Sequence, residues 1–240
     1  LGESSVLNLQ PLTKAEINNF LSLKNLENID LFLEKTSANN IDSLLYNPQT
    51  LIMLMELVGN GTWPKSKYDL YEKSTKLTLS EHAKSHKSPY SLSELEQVSG
   101  NICTHLLISG KDSILTSAYS IDDIPRLSDI KSIEKKLGQS VLESKLFSST
   151  AEESFKFSHR TIAEYLSAIW LNQKLKEGMS LTRLLNTLGF NGYPSSELKG
   201  LFAWLATVSN ENSQHFINND PFAVLVYGDP SKLSISNKVC

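Results

Sequence analysis

Arginine is scarce in this chain: Arg126, Arg160 and Arg183 are the whole supply in 240 residues. Surfaces that grip phosphate through paired N–H donors draw on arginine. With a formal net charge of −3 as well, the chain has no bulk attraction for nucleic acid or anionic membrane. Cysteine is nearly absent. Cys103 and Cys240 make neither a disulfide framework nor a CxxC metal knuckle, and Cys103, inside an apolar helical stretch, reads as an inert core thiol. That usage suits a cytoplasmic protein. No apolar run approaches the ~20 residues needed to span a bilayer, and no signal-peptide pattern opens the sequence. The phosphate-cradling pattern G-x-x-x-x-G-K-S/T is missing too. Gly110-Lys111 is followed by Asp112, and His105 stands where the pattern needs glycine. No Ser/His/Asp or Cys/His arrangement has a supporting local motif, so hydrolase chemistry has no carrier. The opening, Leu1-Gly-Glu-Ser-Ser-Val6, does not look like a natural start, and the chain reads as a piece of a longer protein.

What is present is helical periodicity, so the fold class expected is mainly α. Ser5 to Gln10 alternates like an edge strand. Thr13, with Glu16 three residues on, forms a capping box that opens a helix to about Leu23. A second helix is expected near Ile29 to Thr36, and Ile41 to Asn47 halts at Pro48. Pro48 suits the first position of the next helix, which runs to Val58 and is apolar nearly all round, as for a fully buried helix. A longer amphipathic helix follows from about Lys65 to Lys84. Beyond Pro89, Ser91 to Ser109 reads as a helix capped by Ser91 or Ser93, Ser120 to Ser128 as a loop or short turn, and Ile130 to Ser144 as another helix. The period then changes. Lys145 to Ser149 and Ser154 to Ser158 are short alternating runs, predicting a small hairpin before a helix from His159 to Lys176. Helix, helix, hairpin, helix is the order of a winged-helix unit. After Gly178, the segments Leu181 to Leu188, Leu198 to Val208 and Gln214 to Tyr227, broken at Pro221, read as helix pairs like those that begin solenoids.

Three stretches carry a family resemblance over most of the chain. Asn47-Pro48-Gln-Thr-Leu51, an apolar helix and then Trp63-Pro64 to Glu72 resemble the first helical domain of NACHT-type STAND P-loop NTPases. Phe155-Lys-Phe157-Ser-His159-Arg160, continuing to Glu164-Tyr165-Leu166, resembles that family's winged-helix signature. Leu198 to Ala206, Asp220-Pro221 and Tyr227 to Ser231 are similar to the opening helices of its superhelical arm. The resemblance divides the chain into residues 1–10, the last strand of a nucleotide-binding domain; 11–87, a helical domain; 88–177, a winged helix; and 178–240, the start of the arm. It also implies a P-loop domain N-terminal to this segment, holding ADP or ATP with Mg. ADP keeps a closed resting form, and a sensed ligand, such as a phage protein met through the arm, permits exchange, opening and oligomerisation. Bacterial relatives act in antiphage defence or signalling. The chain itself, lacking the P-loop, is expected not to be an enzyme.

His159 is the sharpest site candidate. At the mouth of a helix it adds an N–H to a region that already favours anions, and the resemblance implies that it meets the β-phosphate of ADP. The competing reading is a histidine that caps the helix or packs on the wing. Arg160 is either a phosphate contact or one half of an ion pair with Glu164, one turn on. Pro48 presents a rigid apolar ring, which the resemblance implies lies against adenine; the plain reading is a helix-start proline. His82 and His86 have the spacing of a two-histidine metal face, but no third ligand is evident, and they read as a solvated helix end. Asp122-Asp123 and Glu152-Glu153 read as solvated loop pairs. Phe155, Phe157, Tyr165 and Trp170 read as wing and helix core. The helix expected over 130–144 offsets its lysines with Glu134 and Glu143, unlike a groove-reading helix. A helical interaction scaffold and a DNA-binding winged helix remain the alternative classes.

Overall fold

The computed structural model describes residues 10–117, 123–151 and 153–234. All but Gln10 of the edge strand expected over Ser5 to Gln10 lies outside them, as do Ser120, Asp122, Glu152 and Cys240. The described chain is mainly helical with a small antiparallel sheet, as the periodicity predicts. It forms two compact units, residues 1–74 and 75–240.

In the first unit, α1 (Lys14–Leu23), α2 (Ile29–Ala38), a 3-10 turn (Asp42–Tyr46) and α3 (Pro48–Gly59) lead into α4 (Lys67–Ser85). Each start has a sequence cause. Glu16 N donates to Thr13 Oγ1 at 3.3 Å while Thr13 N donates to Glu16 Oε2 at 2.7 Å, which is the predicted capping box. Asn47, held extended before proline, caps α3. Leu21, Leu51, Leu54 and Leu70 are fully buried, and the Phe32 and Trp63 rings meet at 5.6 Å. Contrary to expectation, α3 is not buried all round: Ile52 is 39% exposed. Leu51, Leu54 and Leu57 form its inward stripe, and its apolar composition exceeds the packing available to one face.

In the second unit, α5 (Leu92–Ser109) begins in a Ser91–Glu94 capping box and ends at Gly110, whose φ of 65° closes the helix left-handed. There follow β1 (Ser113–Leu115), a 3-10 turn (Leu127–Asp129), α6 (Lys135–Leu142), β2 (Phe147–Ala151), β3 (Ser154–Phe157) and α7 (Arg160–Lys176). The predicted hairpin is β2–β3, but it is part of a three-stranded antiparallel sheet, because β1 pairs with β3 in the order β1-β3-β2. The helix expected over 130–144 is shorter. Ile130 is buried, Asn101 Nδ2 donates to Ser132 Oγ at 3.0 Å and Tyr90 Oη to Glu134 at 3.4 Å, and these ties hold 130–134 out of helix.

α8 (Leu181–Leu188), a two-residue ladder of β4 (Gly189–Phe190) with β5 (Tyr193–Pro194), α9 (Lys199–Val208), α10 (Ser213–Asn219) and α11 (Pro221–Tyr227) complete the unit. The break at Pro221 is as read, with Asp220 accepting from Ala223 N at 2.9 Å. α9 is the hub. Residues 200–207 are all buried, and α7, α10 and α11 pack on it. Cys103 lies in this core, where burial pushes its thiol well above the ordinary range. Among the described residues no helix is long and apolar enough to cross a membrane, and no cluster of three His, Cys, Asp or Glu side chains stands ready for a metal.

Candidate functional site

The wing hairpin delivers the chain to α7 through Ser158 and His159. Ser158 N donates to the Leu146 carbonyl at 2.9 Å and its hydroxyl to the Lys145 carbonyl at 3.0 Å, which ties the end of β3 to the start of β2. His159 is therefore placed by two elements at once. It is the N-cap residue of α7, extended at φ −141°, ψ 122°, and its side chain does not cap the helix. The residue is exposed, and its ring has no hydrogen-bond partner among the described residues. A free imidazole beside the positive end of a 17-residue helix can meet an anion without first giving up a protein contact.

Arg160, next to it, is committed elsewhere. Its Nε donates to Glu164 Oε1 at 3.1 Å, its Nη2 donates to the Glu197 carbonyl, and Glu197 Oε2 stands 3.6 Å away. Glu164 is buried, at 7% exposure. Bridging Glu164 and Glu197, the guanidinium is a tie from α7 to the turn before α9. Of the two sequence readings of Arg160, the geometry contains the ion pair.

Glu164, Tyr165 and Leu166, which follow His159 and Arg160 on α7, have packing roles. Tyr165 meets Trp204 of α9 edge-on, with centroids 5.3 Å apart. The Leu166 carbonyl lies so close to α5 that a β-carbon on Gly100 would sit 2.6 Å from its oxygen. Glu164, Tyr165 and Leu166 thus lock α7 between α5 and α9 and leave His159 outside that contact.

Pro48 belongs to the first unit, whereas His159 and Arg160 belong to the second. Pro48 is exposed at the first position of α3. The helix is capped by Asn47, whose side chain accepts from Gln49 N at 2.9 Å and Thr50 N at 3.3 Å.

Of the two histidines at the end of α4, His86 is exposed just past the helix, as expected, but His82 is not solvated. His82 is buried at 6% exposure, its ring stacks on His86 at 4.4 Å, and Nε2 lies 3.3 Å from Ser140 Oγ of α6. Burial, assisted by His86, holds its pKa below the ordinary value, with Glu143 opposing. Of the acidic pairs, Asp123 is engaged by Lys111. α6 presents Lys135 and Lys136 to solvent directly after the exposed Glu134, which dilutes any basic face.

One feature of the second unit has no counterpart in the sequence reading: a cleft of about 520 Å³ between α5, α7 and α8. Its walls come from residues some eighty positions apart, a separation at which no local motif forms. No protein-family model matches the chain, and a search of curated proteins returns no match.

Proposed function

We propose that this chain is the regulatory part of a NACHT-type signalling ATPase: a helical domain, a winged helix and the first helices of a superhelical arm. In this reading a P-loop domain of the same protein holds ADP or ATP with Mg, and the nucleotide supplies the phosphates that distinguish resting from active forms. His159 contacts the β-phosphate and Pro48 the adenine. The observation that carries the reading is His159 itself, exposed at the mouth of α7 with an unpartnered ring. Arg160, held by Glu164 and Glu197, is assigned to structure instead of phosphate.

ADP can stabilise a closed form only through contacts that the open form lacks. His159 would supply such a contact, so its contribution is to differential affinity and hence to silence at rest. The exposed apolar side of α11, with Phe222 and Leu225 at 69% and 62%, suits continuation of a helical arm. The arm would meet the sensed ligand, a phage protein in a defence role, and opening would lead to oligomers in the cytoplasm.

The test uses the protein together with its nucleotide-binding domain. His159→Ala should lower the ADP that copurifies, measured by chromatography after denaturation, and raise signalling without ligand. Unchanged nucleotide content together with unchanged basal signalling would remove His159 from the site.

A further inference from the structure

The α5–α7–α8 cleft has a lining that selects its ligand. Its about 520 Å³ falls within the range of small-molecule sites, roughly 300–1,000 Å³. Trp170 and Leu171 of α7 and Leu184 of α8 supply apolar wall. The hydroxyl and amide groups at the rim each donate a hydrogen bond within the protein. Thr104 donates to the Gly100 carbonyl at 2.7 Å, Ser109 to the His105 carbonyl at 2.7 Å and Thr187 to the Arg183 carbonyl at 2.9 Å, while Asn101 donates to Ser132 at 3.0 Å. Two groups are left over: the Arg183 guanidinium and the His105 ring, neither with a hydrogen-bond or ion-pair partner among the described residues. Among the described residues no carboxylate lines the cleft. Asp129 is within electrostatic reach of His105 but is paired with Arg126 at 3.1 Å. Lys174, whose Nζ lies 5.5 Å from the Trp170 ring centroid, is offset by Glu177 at 2.6 Å.

An unpaired guanidinium beside an aromatic and aliphatic wall is the recognition chemistry for a flat apolar body bearing a carboxylate or similar oxyanion. We propose that this cleft is a binding site for a small amphipathic anion, its acid group on Arg183 and its apolar body against Trp170. The site is separate from the nucleotide reading, since Trp170 stands about 16 Å along α7 from His159 at 1.5 Å per residue. Because the cleft joins the winged-helix elements α5 and α7 to α8, an occupant would bridge the two.

The probe is anilinonaphthalene sulfonate, a fused aromatic with one oxyanion, titrated by fluorescence into the full chain. Phenylnaphthylamine is its neutral counterpart. The unmodified chain should bind one sulfonate probe saturably. Arg183→Gln should weaken that binding about tenfold, the loss of one charged hydrogen bond, and leave the neutral probe unchanged. Thr187→Trp, which fills the mouth, should abolish both. Arg183 and Thr187 are exposed, so neither change touches the core, and retained helical circular dichroism verifies the fold. No saturable binding to the unmodified chain, or binding indifferent to Thr187→Trp, overturns the site. Sulfonate affinity unaffected by Arg183→Gln overturns the anion.

Discussion

Gly200 of α9 lies so close to Glu164 of α7 that a β-carbon at position 200 would stand 2.1 Å from Glu164 Oε2. The carboxylate cannot swing aside freely. It is 7% exposed and held by Arg160 at 3.1 Å. Glycine at this point is thus a consequence of placing a glutamate side chain between two packed helices. Gly200→Ala should destabilise the chain by about 1–3 kcal/mol through overpacking, despite the ~1 kcal/mol that alanine adds within a helix. In a Glu164→Ala background the obstacle is gone, and the same substitution should become neutral or stabilising. Denaturation of the four proteins of this cycle measures the coupling. Equal effects of Gly200→Ala in both backgrounds would refute the steric account.

The elements that could be read in advance are those whose ends are written locally. Thr13 with Glu16, Ser91 with Glu94, Asn47 before Pro48 and Asp220 before Pro221 each terminate backbone hydrogen bonding through neighbours within four residues. The Arg160–Glu164 pair was legible for the same reason, being one helical turn apart. What escaped depends on distant partners. β1 is three residues long, too short to display alternation, and is a strand because β3 lies beside it. His82 looks solvated within α4 and is buried by α6. Glu164 meets Gly200, thirty-six positions away, and the α5–α7–α8 cleft exists only once three helices are assembled. The position of His159 at the mouth of α7 was readable from the hairpin before it; the commitment of Arg160 to Glu197 was not.

Asn47 should matter to stability independently of Pro48. Its side-chain oxygen serves two backbone N–H groups at the start of α3, at 2.9 and 3.3 Å. Replacing such a cap by alanine costs about 1 kcal/mol. Asn47→Ala should lower the urea midpoint accordingly, whereas Asn47→Asp keeps the acceptor and adds a charge favoured at a helix N-terminus, so it should match or exceed the parent. If alanine and aspartate behaved alike, the cap would carry no weight.

His82 makes stability depend on pH in a definite direction. Its folded pKa is depressed below the ordinary 6.5, first by burial and then by the neighbouring His86, with Glu143 pulling the other way. A depressed histidine binds fewer protons folded than unfolded, so folding is undisturbed above the unfolded pKa and loses stability as pH falls through it. Other charges near this face are Glu81 and Lys145, ion-paired at 3.5 Å. The relevant window runs from about pH 8 to about pH 5.5, bracketing the ordinary histidine value. Urea denaturation across the same window should therefore show the parent losing stability toward acid. His82→Gln, which can still hydrogen-bond Ser140 but cannot gain the charge, should lose less. Identical acid sensitivity in the two proteins would mean that His82 is protonated in the fold at no cost, and that its burial against α6 has been misread.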